Sequence, residues 1–115
     1  MAYIDGYVAA VPNANKKAYL ELAVTMAALF KKHGAIRTME CWQNDVPEGK
    51  LTSFTMAVKR QDNESIIFSW IEWPSKDARD KAWKAVMSDP AMQGPSELFD
   101  GKRMIFGGFD VVMDA

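Results

Sequence analysis

The amino-acid sequence predicts a single α+β domain over residues 1–115, a ferredoxin-like antiparallel sheet with two helices on one face. The first observation is Ile66–Trp73, a short and almost wholly apolar run that is typical of a strand covered on both faces. The second is the helical spacing of apolar residues in Lys16–His33 and in Lys76–Met87. The third is an apolar, β-favouring run near each end of the chain.

A strand followed by a helix is predicted for the first third of the chain. Tyr3–Val11 is the first strand, and Gly6 in its middle indicates a bulge or a close approach by another group. Asn13 or Asn15 is expected to cap the helix over Lys16–His33. This helix has the clearest apolar stripe in the sequence.

Three strands are predicted for the middle of the chain. Ala35–Gln43 is followed by a polar segment with Pro and Gly, residues 44–50, which predicts a turn. We therefore expect Thr52–Lys59 to return as the next strand of a hairpin, because its apolar residues alternate with smaller or polar ones. This strand is also expected to pair with Ile66–Trp73.

The last third predicts a helix and a final strand. Ser75 is expected to cap the helix over Lys76–Met87. Ala91–Glu97 contains Gly and Pro and predicts a short irregular or single-turn segment. The final strand is Met104–Met113, in which Gly107–Gly108 indicates a bulge or a bend.

The order of these elements is ferredoxin-like, β-α-β-β-α-β, with one extra strand. Right-handed crossovers put both helices on the same face of the sheet. The other face still carries aromatic and aliphatic residues, and no helix remains to cover it. We therefore expect a second copy of the chain to cover it, sheet against sheet, in a two-fold homodimer that forms an α+β barrel.

Composition and charge exclude several classes of function. A net charge of −1 without a Lys/Arg cluster disfavours nucleic acid as a partner. No apolar run approaches the roughly 20 residues that span a bilayer, and the N-terminus is not a signal peptide, so no membrane partner is expected. A single cysteine, Cys41, forms no internal disulfide and favours a cytoplasmic location.

Two carboxylates are the candidate catalytic residues. Glu72 and Glu40 each lie in an otherwise apolar predicted strand, so burial could raise a carboxyl pKa and produce a general acid or base. The alternative is structural. Each glutamate then pairs with an arginine such as Arg37 or Arg103, or faces solvent at a strand end.

Four further residues are candidate ligand-binding residues. Trp42, Trp70 and Trp73 could stack on a flat ligand, or could simply pack in a core or a dimer interface. Arg103 lies in a turn that could hold an anion, or that is a plain turn with solvated charges.

His33 and Cys41 are the only residues of their types, so their spacing supports no zinc site, and no metal or cofactor is expected. His33 could bind haem, but its place at a helix end favours surface packing stabilised by the helix dipole. Cys41, beside a tryptophan in a strand, is more typical of an inert apolar residue than of a nucleophile.

Four segments carry a family resemblance: Tyr3–Val8, Glu40–Lys50, Phe68–Lys76 and Phe99–Phe109. In this order they resemble the YbaA-like family of small bacterial proteins (domain-of-unknown-function family 1428), over nearly the whole chain. The resemblance implies the dimeric α+β-barrel fold. Barrels of this kind host cofactor-independent monooxygenases, haem-degrading enzymes, and isomerases or lyases of small molecules. The family has no established catalytic residues, so the resemblance assigns none.

Two hypotheses for function follow. One is a cofactor-independent monooxygenase or isomerase that takes a small apolar or aromatic molecule into a cavity between sheet and helices, lined by the glutamates and tryptophans. The other is a non-catalytic ligand-binding, structural or stress-related dimer whose cavity is filled by its own side chains. A cavity of about 300 Å³ or more with a few convergent polar groups would favour the first.

Overall fold

A computed structural model describes residues 2–92 and 97–115 of the chain. The strands are β1 (Tyr3–Pro12), β2 (Arg37–Trp42), β3 (Glu64–Trp73) and β4 (Ile105–Asp110); the helices are α1 (Lys16–Lys32), α2 (Phe54–Ala57) and α3 (Lys76–Ser88). The four strands form one sheet in the order β2-β3-β1-β4, and each neighbouring pair is antiparallel. This is the predicted ferredoxin-like α+β arrangement, which is confirmed.

The two long helices lie on the same face of the sheet, as predicted. Odd-numbered residues of β1 and β3 point towards the helices, and Ile71 and Trp73 of β3 are fully buried there. They pack against Phe30 of α1 and Val86 of α3 in one apolar cluster. We call this side of the sheet the covered face and the opposite side the open face.

The predicted strand over Thr52–Lys59 is wrong, and with it the hairpin and the extra strand. β2 pairs directly with β3, which leaves no place in the sheet for another strand between them. The segment instead forms α2, because the Ser53 hydroxyl accepts a hydrogen bond from the Met56 amide at 3.1 Å and caps the turn. Val58, just past α2, is buried on the open face against Val8, which is how its apolar character is satisfied.

The strand glycines allow close approach of aromatic rings. Gly6 faces Gly107 in an unbroken register, so neither predicted bulge is present. The ring of Phe109 lies over both glycines. A methyl group on Gly108 would collide with the side chain of Tyr3, so a larger residue at this position requires Tyr3 to shift.

The ends of the helices agree with the sequence in part. Ser75 caps α3, since its hydroxyl accepts a hydrogen bond from the Ala78 amide at 3.1 Å. The predicted asparagine cap of α1 is wrong: Asn15 holds the cap position but its side chain donates to the carbonyl of Leu98. Most of the irregular segment predicted at Ala91–Glu97 lies outside the described residues.

The open face exposes large apolar side chains. Phe68 on β3 is 47% exposed and Phe109 on β4 is 61% exposed. α2 covers only part of this face, with Phe54 packed edge-on against Phe68. Within residues 2–92 and 97–115, no helix is long and apolar enough to cross a membrane.

Candidate functional site

A cavity of about 910 Å³ lies between the covered face and α3. Its walls are contributed by β1, β3, β4 and both long helices, and apolar side chains such as Phe30, Met87 and Phe106 form most of them. Its charged lining side chains are Asp5, Arg79, Asp80 and Lys84. The size and the few polar groups are those of a small-molecule site.

Asp5 is the centre of the polar end of this cavity. Its carboxylate accepts hydrogen bonds from the indole N–H groups of Trp73 and Trp83, at 2.9 and 3.0 Å. Arg79 donates to both carboxylate oxygens, with Nη2 at 2.8 Å from Oδ1 and Nε at 3.1 Å from Oδ2. The guanidinium also donates to Asp80 at 2.9 Å. The Asp5 carboxylate is therefore held from two sides, by Trp73 of the sheet and by Arg79 and Trp83 of α3.

These contacts set the charge state of the pair. Burial alone would raise the pKa of Asp5, but hydrogen bonds from Arg79, Trp83 and Trp73 outweigh it and hold that pKa below its usual range. The same contacts raise the pKa of Arg79 above its usual range. Asp5 is thus a paired anion at neutral pH, and its occupied oxygens make it a poor general base.

A second polar cluster lies farther along the covered face. Glu40 of β2 accepts hydrogen bonds from Tyr7 at 2.9 Å, from Tyr19 at 2.8 Å and from Ser69 at 2.5 Å. Tyr7 also lines the cavity. The cluster therefore connects the cavity wall to a carboxylate on the edge strand of the sheet.

The tyrosines of this cluster stay protonated. Burial raises the pKa of Tyr7 far above its ordinary value, and the adjacent Glu40 carboxylate raises it further. The same two causes act in the same order on the pKa of Tyr19. Both phenols are hydrogen-bond donors to Glu40.

The structure separates the two predicted catalytic carboxylates. Glu72 points to the open face of β3, whereas Glu40 points to the covered face of β2. The pair is therefore wrong as one site within a single chain, because the sheet lies between them. Glu72 is 26% exposed and its Oε1 lies 3.6 Å from Nε of Arg37, so Glu72 has the arginine partner of the structural alternative. Glu40 does not, since tyrosine and serine hydroxyls hold it.

The three candidate tryptophans lie in three different places. Trp73 is fully buried on the covered face, where its indole N–H is bonded to Asp5. Trp70 is on the open face and lines a shallow depression of about 530 Å³. Trp42 is near the end of β2, with the Lys16 ammonium over its ring at 5.0 Å. The structure brings only Trp73 to the polar end of the cavity.

Arg103 is held by acidic side chains and by a carbonyl. Its two terminal nitrogens bind the two carboxylate oxygens of Glu64 at 2.8 and 2.7 Å, and its Nε lies 3.1 Å from Asp100. The guanidinium also bonds the Lys59 carbonyl at 2.9 Å. Arg103 thus fastens the segment before β4 to the start of β3, away from the cavity.

His33 and Cys41 lie outside the cavity. Nε2 of His33 is 2.8 Å from Asp89, which also binds Lys32 at 2.8 Å, so the ends of α1 and α3 are joined. Cys41 is exposed on the edge strand. In the parts of the chain that the structure describes, no three His, Cys, Asp or Glu side chains come together as a metal site.

Asp5, Arg79 and Trp83 were not among the predicted site residues. Asp5 has one local signal, because it is an acid in a strand between Tyr3 and Tyr7, on the face that is buried. Arg79 and Trp83 are four residues apart, so they lie on one side of α3. A buried carboxylate requires hydrogen-bond donors, and a guanidinium and an indole on one side of a helix could supply them.

Comparison with known proteins assigns the family. The family model described as "Protein of unknown function (DUF1428)" matches residues 2–104. The chain belongs to this family. It is 56% identical over 116 residues to the uncharacterized protein YbaA of Escherichia coli K12, covering 99% of each chain, and equally to YbaA of Shigella flexneri. The resemblance seen in the sequence is confirmed.

A solved structure supports the fold. The chain is similar to SnoaB from Streptomyces nogalater, described as a cofactor-independent oxygenase, in its N63A mutant. The TM-score is 0.58 with 17% sequence identity, over 98% of this chain and 95% of that chain. At this identity the likeness shows the fold, which is of the α+β-barrel type.

Proposed function

We propose that the protein binds a small planar aromatic molecule that carries a hydroxyl group, and oxygenates it with O₂ without a cofactor. The observation that carries this proposal is the cavity of about 910 Å³, whose apolar walls converge on Arg79 and Trp83. A bicyclic phenol such as 1-naphthol is well within this volume.

Arg79 supplies the polar contact for such a ligand. Its hydrogen bonds to described residues use Nε, one N–H of Nη1 and one N–H of Nη2. The two remaining N–H groups are available to the oxygen of a phenol or a phenolate. Trp83 and Phe30 pack edge to face at 5.2 Å beside it and offer apolar surface to a ring.

The chemistry must draw its electrons from the substrate, since no cofactor takes part. A phenol with a free ring position reacts with O₂ to give a quinone and water, so the ring loses four electrons and O₂ gains them. The slow step requires an electron-rich phenolate. Arg79 would stabilise that anion, and the apolar walls would reduce its contact with water. The fold shared with an oxygenase supports this class of reaction.

A second candidate function is ligand binding without turnover. The carboxylate of Asp5 is fully engaged by Arg79, Trp73 and Trp83, so it is unsuited to remove a proton from a ligand. This observation favours a binding protein. Oxygen uptake distinguishes the two functions.

The test is a titration of the protein with 1-naphthol, followed by measurement of O₂ consumption in an oxygen electrode. We expect Met87→Trp, which fills the cavity without touching the Asp5 contacts, to weaken naphthol binding at least tenfold. Lys81→Gln is the matched control, because Lys81 is exposed on the same helix and its ion-pair partner among residues 2–92 and 97–115 is Asp77. Equal binding by both variants would contradict the proposed site. Binding without O₂ uptake would support the second function.

The proposal includes a homodimer in the cytoplasm. The apolar open face is not covered by α1 or α3 and suits a two-fold partner, and the single thiol of Cys41 suits a reducing compartment. Light scattering should give twice the chain mass for the wild type. Phe109→Asp should give the mass of one chain with unchanged helical circular dichroism. A wild-type mass of one chain would contradict the dimer.

A further inference from the structure

A transverse row of hydroxyl groups and a carboxylate crosses the covered face. Tyr7 of β1 is opposite Ser69 of β3, and Ser69 is opposite Glu40 of β2. Because the three positions share one face, their side chains form a connected set of hydrogen bonds that ends on Glu40. Tyr19 of α1 donates a further hydrogen bond to the same carboxylate.

The two ends of this row have different surroundings. Tyr7 lines the cavity that is proposed to hold the substrate. Glu40 lies on β2, an edge strand, and is only partly buried. The row therefore joins the wall of the cavity to a carboxylate that water can reach.

The charge of the row resides on Glu40. Both tyrosines and Ser69 donate to it, so the carboxylate is the acceptor of all three hydrogen bonds. The raised pKa of Tyr7 keeps that phenol neutral. Asp5 is unsuited to this task because it is paired with the Arg79 cation and none of its donors in the described part of the chain is a hydroxyl that could pass a proton to it. The hydroxyl of Tyr7, by contrast, donates directly to Glu40.

We propose that Tyr7 and Glu40 are a proton relay that carries the hydroxyl proton of the substrate out of the cavity, an inference that rests on the proposed function. The substrate O–H bond breaks and its proton binds Oη of Tyr7. In the same step the phenolic proton of Tyr7 passes to Oε2 of Glu40. The substrate becomes a phenolate, Tyr7 remains a neutral phenol, and Glu40 becomes a carboxylic acid that loses its proton to water.

Excited-state proton transfer from bound 1-naphthol tests the relay without turnover. Naphthol becomes a strong acid on excitation, and its anion emits at longer wavelength than the neutral form. We expect naphtholate emission from the wild-type complex under light that tryptophan does not absorb. Tyr7→Phe and Glu40→Gln should each lower the ratio of anion to neutral emission at least tenfold. Tyr19→Phe, which removes a donor outside the path, should retain the wild-type ratio.

Two measurements separate the possible outcomes. If wild-type protein fails to bind naphthol, the proposed function is wrong and the relay falls with it. If the protein binds naphthol but Tyr7→Phe and Glu40→Gln keep the wild-type emission ratio, the relay alone is wrong. Should Glu40→Gln fail to fold, Tyr7→Phe decides, because it removes one hydroxyl and leaves the ring.

Discussion

The two faces of the sheet differ in how closely their carboxylates are hydrogen-bonded. On the covered face, Asp5 and Glu40 are each held by three donor side chains. On the open face, Glu72 has a longer contact to Arg37, at 3.6 Å, and lies near exposed aromatic rings. On the covered face the long helices add Tyr19, Arg79 and Trp83 to the donors that hold these two carboxylates. The buried carboxylate at the start of β3, Glu64, is held instead by Arg103 from the segment before β4. The difference supports our proposal that the covered face carries the chemistry and the open face the association.

The largest difference in unfolding free energy between the two faces is expected for a matched pair of tryptophan substitutions. Trp73→Ala removes a fully buried side chain and a donor to Asp5, and should lower the free energy of unfolding by about 4 kcal/mol. Trp70→Ala on the open face should lower the unfolding free energy of the monomer by about 1 kcal/mol or less. Urea denaturation measures both. Equal losses would contradict the distinction between the faces.

The next largest difference in unfolding free energy is expected for a matched pair of carboxylate substitutions. Asp5→Asn leaves Arg79 without its buried anion, and should destabilise the fold by about 3 kcal/mol. Glu72→Gln, which breaks a partly exposed pair, should change stability by less than about 0.5 kcal/mol. Thermal and urea unfolding of both variants provide the comparison. A large loss for Glu72→Gln would contradict the weak, partly exposed ion pair described for that residue.

The contribution of Asp5 should depend on pH. Its folded-state pKa lies below the ordinary value of 3.8, so its stabilisation is present above that value and is lost as pH falls through the lowered pKa. The difference in unfolding free energy between wild type and Asp5→Asn should therefore be constant from neutral pH to about pH 4 and shrink below it. A difference that grows on acidification would contradict the ion pair.

The smallest change expected on the covered face is that of Ser69→Ala. Ser69 is fully buried and donates to Glu40, which keeps two tyrosine donors after the substitution. We expect a loss of about 1 kcal/mol in unfolding free energy. Ser65→Ala, on the same strand but only half-buried, should change it less. A loss above about 3 kcal/mol would mean that the tyrosines do not hold the carboxylate without Ser69.

Local patterns predicted most of the fold. α1 and α3 have apolar stripes at helical spacing, and Ser75 marks the start of α3. β3 has a run of apolar residues typical of a central strand and lies between β2 and β1, although Phe68 on its open face stays exposed. Thr52–Lys59 was misassigned because Phe54, Met56 and Val58 alternate as in a strand, whereas the capping hydroxyl of Ser53 and the direct pairing of β2 with β3 decide the outcome.

The candidate site was harder to predict, because its contacts join distant parts of the chain. Asp5 and Arg79 are 74 residues apart, and neither has a motif around it. Glu40 and Glu72 looked alike in sequence, and only the register of β2 against β3 puts them on opposite faces. Trp73 was a candidate, but its partner Asp5 could not be identified before the topology was known.

A crystal structure of the complex with 1-naphthol would show directly whether the cavity between α3 and the covered face is the ligand-binding site. We expect density for the naphthol between α3 and the covered face, with its oxygen within hydrogen-bonding distance of Arg79 and its ring against Trp83. Density on the open face beside Phe68 and Trp70, with an empty cavity under α3, would contradict it.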